Sequence, residues 1–283
     1  MTATTTTHGN RSAVTVDPDL RSVLSSEPRP PEASGVAASL AFGWRALLKI
    51  KHVPEQVLEA VAIPVVFTVM FTYLFGGALD RSTTDYLEFI LPGTLVMAVL
   101  LVTMYVGTGL HTDMTRGVYD RFRSLPIWQP APVAGVLIGE AARYFLASAV
   151  VVTLGLAMGF RPGGGPVGVL AAVALVVVFA LGLAWIWIVL GLVVRSPNTI
   201  MSIGTVVLFP LTLASNVFVQ PDTMPGWLQA FVDINPISHL VTTERNLMDG
   251  TATVGQAGGM LGASLALTAV FAPLALRLYR KKQ

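Results

Sequence analysis

Val167-Gly-Val-Leu-Ala-Ala-Val-Ala-Leu-Val-Val-Val-Phe-Ala-Leu-Gly-Leu-Ala-Trp-Ile-Trp-Ile-Val-Leu-Gly-Leu-Val-Val194 runs for 28 residues without Asp, Glu, Lys or Arg, between Arg161 and Arg195. A bilayer core about 30 Å thick is crossed by roughly 20 such residues in a helix. Five further stretches share the property: Ala60–Leu79, Phe89–Leu110, Tyr144–Phe160, Ser196–Pro221 and Gly250–Leu276. None alternates apolar and polar residues as a barrel strand does, so the backbone must satisfy itself in helices. The whole chain agrees: 53% of its 283 residues are hydrophobic and 12% charged, with a mean hydropathy of +0.68. This excludes a water-soluble globular class and predicts an all-α polytopic membrane protein of six transmembrane helices.

The spans are placed at about 58–79, 88–111, 137–160, 167–194, 198–218 and 254–277, within a membrane domain over 58–278. The basic residues orient it, because Lys and Arg collect on the cytoplasmic side. With the N-terminus inside, fifteen of the 18 fall in cytoplasmic segments and only Arg81, Arg161 and Arg245 lie outside. Both termini are therefore expected in the cytoplasm of a plasma-membrane protein.

Residues 1–35 are rich in Thr, Ser, Pro and Arg without an apolar period and read as a disordered tail with no signal-peptide core. Over 36–57, Leu40, Trp44, Leu47 and Leu48 recur at helical spacing while Arg45, Lys49 and His52 take other positions. That pattern fits an amphipathic helix in the inner interface, or a positively charged flank of the first span. Residues 279–283 form a short cytoplasmic tail. The third span reaches full length only by drawing in Glu140 and Arg143, which can pair at i,i+3.

Between the last two spans, the segment 219–253 carries Pro225, Trp227, Asn235, Pro236, Glu244 and Arg245 yet is too apolar for a solvated loop. It reads as short amphipathic pieces dipping into the outer leaflet, with a compact external loop as the alternative.

Several chemistries are missing from the sequence itself. With no cysteine there is no thiolate metal site, disulfide or cysteine nucleophile. The four lysines, Lys49, Lys51, Lys281 and Lys282, fit no phosphate-binding loop, and no His-Glu-x-x-His occurs. Gly262-Ala263-Ser264-Leu265 lacks the second glycine and a membrane histidine that a serine protease would need, so these small residues, with Gly258 and Gly259, are expected to let helices approach closely. A secondary transporter would place a charge near the midplane, and the six spans carry none.

The loop 112–133 is the most informative polar segment. Met114, Val118 and Phe122 fall at i, i+4 and i+8 with Leu125 three residues later, Arg116 and Asp120 are i,i+4 partners, and Pro126 stops the helix. Such a helix can seat its apolar stripe in a groove of a cytoplasmic partner, or serve as a plain basic anchor.

The run Asp113-x-x-Arg116-Gly117-x-x-Asp120-Arg121-Phe122-Arg123-Ser124-Leu125-Pro126-Ile127 resembles the signature loop of ABC-2 type permeases, particularly the daunorubicin-resistance membrane-subunit branch. Three more passages resemble that family: Phe75-Gly76-Gly77 followed by Asp85-Tyr86-Leu87-x-Phe-Ile-Leu-Pro-Gly93; Phe218-Val-x-Pro-x-x-Met-Pro-Gly-Trp-Leu-Gln229; and Asn235-Pro236 with Glu244-Arg245-x-Leu247-x-x-Gly250. The sequence departs from the family in having Asp113 where Glu is frequent and Trp128-Gln129-Pro130 where a basic residue is usual.

The resemblance implies a homodimer of six-helix half-transporters that binds two separate cytoplasmic ATPase subunits. Asp113, Arg116, Gly117, Asp120, Arg121, Phe122, Arg123, Leu125 and Pro126 would form its coupling helix. Pro225, Trp227, Asn235, Pro236, Glu244 and Arg245 would belong to short re-entrant helices at an external gate. ATP and Mg would sit on the partner, with no cofactor in this chain and no nucleic-acid partner. The implied function is export of a hydrophobic or amphipathic drug-like molecule, with polysaccharide or lipid-linked glycan export as the alternative. Phe67, Phe71, Tyr105 and Trp185 could line a pathway, or face lipid and the bundle core.

Overall fold

The computed structural model describes residues 34–52, 55–79, 82–115 and 131–281. Among these, every regular element is helical: α1 (Gly35–His52), α2 (Glu55–Leu79), α3 (Thr83–Thr115), α4 (Ala131–Met158), α5 (Gly165–Val193), α6 (Pro197–Leu213), a 3₁₀ turn (Pro221–Thr223), α7 (Gly226–Ile234), α8 (Pro236–Asp249) and α9 (Val254–Lys281).

The bundle is organised around α3. Its 33 residues reach about 50 Å at 1.5 Å per residue, and α2, α4, α5, α6 and α8 all pack against it. Of its most apolar 18-residue window 83% is buried, against 11% for α9, so α3 is the axis and α9 the periphery. Ile90, Leu91, Leu95, Met97 and Leu100 are fully enclosed.

Helices approach closely only where side chains vanish. A Cβ on Gly107 of α3 would stand 2.5 Å from the Trp187 carbonyl oxygen of α5, and one on Gly191 would stand 2.6 Å from that of Gly107. The Trp187 indole fills the adjoining space and donates to Thr103 Oγ1 at 2.8 Å, which satisfies its buried N–H. His111 Nδ1 donates to Gly191 O at 3.2 Å, tying the far ends of α3 and α5.

Gly135 and Gly139 likewise let α4 lie against Phe42 and Ala46 of α1. That face of α1 is thus taken by protein, while Val36, Leu40 and Trp44 remain exposed. On α9, Ser264 fits against Gly182 and its Oγ donates to Val178 O at 2.8 Å. The close-packing role expected of the Gly258–Ser264 group holds for Ser264, but Gly258, Gly259 and Gly262 meet nothing within 4 Å.

The outer faces are apolar: Val66, Leu74, Leu156, Leu170, Val206, Leu265 and Val270 are exposed. So much exposed hydrocarbon suits lipid and not water, and α3, α4, α5 and α9 are each long and apolar enough to cross a membrane. The protein is a multi-pass membrane protein. The described apolar part of α2 is Val61–Leu74, and α6 has 17 residues.

The charge-free stretch from Ser196 to Pro221 is not one helix: α6 ends at Leu213. The Asn235 side chain explains this ending, because its Nδ2 donates to Leu211 O at 2.8 Å and Ala214 O at 3.2 Å, satisfying carbonyls that a continuing helix would have used.

Gly107→Leu is expected to force α3 and α5 apart and destabilise the protein by about 1–3 kcal/mol, seen as a lower melting temperature in detergent. Gly109→Ala, where nothing lies within 4 Å, should be neutral or stabilising by up to about 1 kcal/mol.

Candidate functional site

At the end of α3 where it begins, three passages far apart in sequence converge. Pro92 removes one helical N–H, and beside it Gly93 leaves room for Val217, whose Cα would stand 2.9 Å from a Cβ there. Tyr86 Oη donates to Phe218 O at 2.9 Å. Arg245 of α8 completes the junction: its Nε and one Nη donate to Phe89 O at 3.1 and 2.9 Å, and that Nη also donates to Asn216 O at 3.2 Å. The guanidinium carbon lies 4.0 Å from the Phe89 ring centroid, a cation–π contact. Burial lowers the Arg245 pKa to about 10, opposed by the Asp249 carboxylate, so it keeps its charge at neutral pH.

Asn235 anchors the other end of α8. While its Nδ2 caps α6, its Oδ1 accepts from Ile237 N at 2.9 Å, which caps α8 ahead of Pro236 at the first turn. The helix stops at Gly250, whose φ of +76° suits a left-handed cap. Asn216 Nδ2 donates to Thr242 Oγ1 at 2.8 Å, so the 214–218 turn and α8 form one polar unit.

Glu244 is the exception in this unit. It is completely buried, and neither carboxylate oxygen has a hydrogen-bond partner. Burial alone raises its pKa well above the usual 4.5, because an ionised carboxylate without a partner costs several kcal/mol in an apolar setting. Position 244 lies outside the six apolar stretches.

At the other end of α3, α1, α3 and α4 enclose a cleft of about 90 Å³ whose lining includes Arg45, Tyr105, Asp113, Glu140 and Arg143. Arg143 and Glu140 form the i,i+3 ion pair their spacing suggested, at 3.1 Å. Asp113 stands in the last turns of α3, which continues to Thr115. Arg116, Gly117, Asp120, Arg121, Phe122, Arg123, Leu125 and Pro126 lie outside the described residues.

The four aromatics named as pathway candidates do not form one surface. Phe67 and Phe71 cluster with Phe218, with ring centroids 5.0 to 5.7 Å apart, while Tyr105 lines the cleft and Trp185 stands beside Ala275 and Tyr279. Pro225 precedes α7 as its cap residue, and Trp227 is 75% exposed. Sequence reasoning passed over Asn216, and it noted Phe89 only inside the Asp85–Gly93 motif and Arg45 only as a polar position of the 36–57 helix, giving neither a place at a site.

The sequence profile of the ABC-2 type transporter family matches residues 38–248. The chain is 49% identical over 279 residues, 98% of its length and 99% of the other's, to the daunorubicin resistance ABC transporter permease protein DrrB1 of Streptomyces coeruleorubidus. It is 24% identical over 223 residues, 78% of this chain and 80% of the other, to the probable doxorubicin resistance ABC transporter permease protein DrrC of Mycobacterium tuberculosis. A putative transport permease, ycf38 of Cyanophora paradoxa, is 20% identical over 210 residues, covering 72% of this chain and 71% of the other. With three quarters of its length under the family profile and a near-full-length relative at this identity, the chain belongs to the ABC-2 type transporter family of membrane permeases.

Proposed function

We propose that this chain is the transmembrane subunit of an ABC exporter that carries an amphipathic drug of the daunorubicin and doxorubicin kind out of the cell. The observation that carries this reading is the 49% identity, over 98% of the chain, to a daunorubicin resistance permease. Having no phosphate-binding loop, the chain draws its power from a separate ATPase subunit that holds ATP and Mg. Two permease copies and two ATPase copies make the working unit, and α2 and α6 join α3, α4, α5 and α9 as its six spans.

In this reading the segment 112–133 is the coupling element. Asp113 belongs both to that motif and to the cleft with Arg45, Glu140 and Arg143, so a push on the coupling helix reaches α1, α3 and α4 together. Helix α3 carries the displacement to its other end, where Arg245 and Asn235 hold α7 and α8 as the external gate. Opening needs no covalent chemistry, only an exchange between two packings of the same helices. The termini and the coupling helix face the cytoplasm, a placement that the distribution of basic residues supports.

Phe122→Asp puts a charge in the apolar stripe of the coupling helix and is expected to lower ATP-driven drug export at least about tenfold while the permease still reaches the membrane. Unchanged export and unchanged co-purification of the ATPase would refute the coupling role. Arg245→Gln removes charged hydrogen bonds worth about 1.5–3 kcal/mol; export should fall while the ATPase still co-purifies, with Arg245→Lys intermediate because an ammonium cannot reproduce the forked geometry. Drug accumulation in sensitive cells and pull-down of the partner read both effects.

A further inference from the structure

Glu244 has no task in the gate as described so far. It is fully enclosed and both its oxygens lack hydrogen-bond partners, a condition native structures rarely tolerate without a reason. On its own helix it shares a buried face with Ile237, Leu240, Val241 and Met248. Its neighbour Arg245 directs Nε and one Nη to the carbonyls of Phe89 and Asn216, and among the described residues no charged group adds to the effect of burial on Glu244. Asp85, Glu88 and Asp249, acidic groups at the same end, are more open to solvent.

An enclosed carboxyl with no cation of its own complements a cation brought from outside. Helix α8 has 14 residues, about 21 Å, too short to cross a bilayer. Polar contacts at Asn216, Asn235 and Arg245 tie it to α3, α6 and the 214–218 turn, so a displacement of α8 would carry position 244 with it.

We propose that Glu244 is the anionic anchor for the protonated amine of an amphipathic cationic substrate, engaged when α8 moves away from α3 and α5 during export. The carboxyl proton leaves to water as the ammonium takes its place, so the site remains neutral and the cation is paired within an apolar setting. While α8 stays packed, the protonated acid keeps the site closed without a buried charge. This rests on the reading of the chain as a drug-export permease.

The test uses the permease–ATPase complex in proteoliposomes with daunorubicin, which carries a primary amine, and its neutral N-acetyl derivative. Glu244→Gln keeps the shape of the protonated acid and removes the anion. The ratio of daunorubicin to N-acetyl-daunorubicin transport at sub-saturating drug should fall about tenfold or more, through KM more than kcat, with Glu244→Asp recovering part of it. An unchanged ratio overturns the proposal. In the unmutated complex, daunorubicin should slow labelling of Glu244 by dicyclohexylcarbodiimide, read by peptide mass spectrometry, while the N-acetyl derivative should not; equal labelling with both also overturns it. Failure of the drug-export reading would look different, since the unmutated complex would then move neither compound.

Discussion

The enclosure of α3 by five other helices is the constraint on which the rest of the structure depends. Once its apolar stretch is surrounded, any side chain between it and α5 must disappear or interlock, and the Gly107–Gly191 approach with Trp187 hydrogen-bonded to Thr103 does both. Lipid supplies no hydrophobic drive between helices, so this packing must come from close contact and satisfied polar groups. A helix held along its whole length shifts as a unit, which makes it suited to link its two ends.

Those two ends differ in their polar economy. At one, Asn235, Tyr86 and Arg245 each answer backbone carbonyls left by a helix ending, a turn or a proline-loosened segment. Among the described charged residues there, only Glu244 is enclosed without an answer. At the other, Glu140 and Arg143 answer each other at the rim of a cleft. A buried pair tolerates a fixed packing; a buried orphan gains most from a change of packing.

The absence of charge made most of the fold legible. Counting uncharged runs located the long apolar helices, and i,i+3 spacing gave the Glu140–Arg143 pair. That count measures depth in a bilayer and not direction around a helix axis, so it could not tell that Phe67, Tyr105 and Trp185 point to three different places. Nor could it see α6 stop at Leu213, because the cause is Asn235, more than twenty residues further on. The cluster around α8 was half legible: resemblance named Asn235 and Arg245, but the Leu211 and Ala214 carbonyls that Asn235 caps and the Phe89 and Asn216 carbonyls that Arg245 holds are backbone groups, which carry no signal in side-chain identity. The amphipathic period of α1 gave no sign that Phe42 and Ala46 would seat against Gly135 and Gly139 of α4, because a period names a face and not its neighbour.

In the proposed exporter, α3 joins a cytoplasmic coupling segment to an external gate in one mechanical unit. Since the chain has no cysteine, spin labels can be placed cleanly at the exposed positions Thr84 and His239 through Thr84→Cys and His239→Cys. The distance between them, measured by pulsed electron paramagnetic resonance in the complex with its ATPase, is expected to shift when ATP binds the partner. An identical distance distribution with and without ATP, in a complex that still exports drug, would contradict the account.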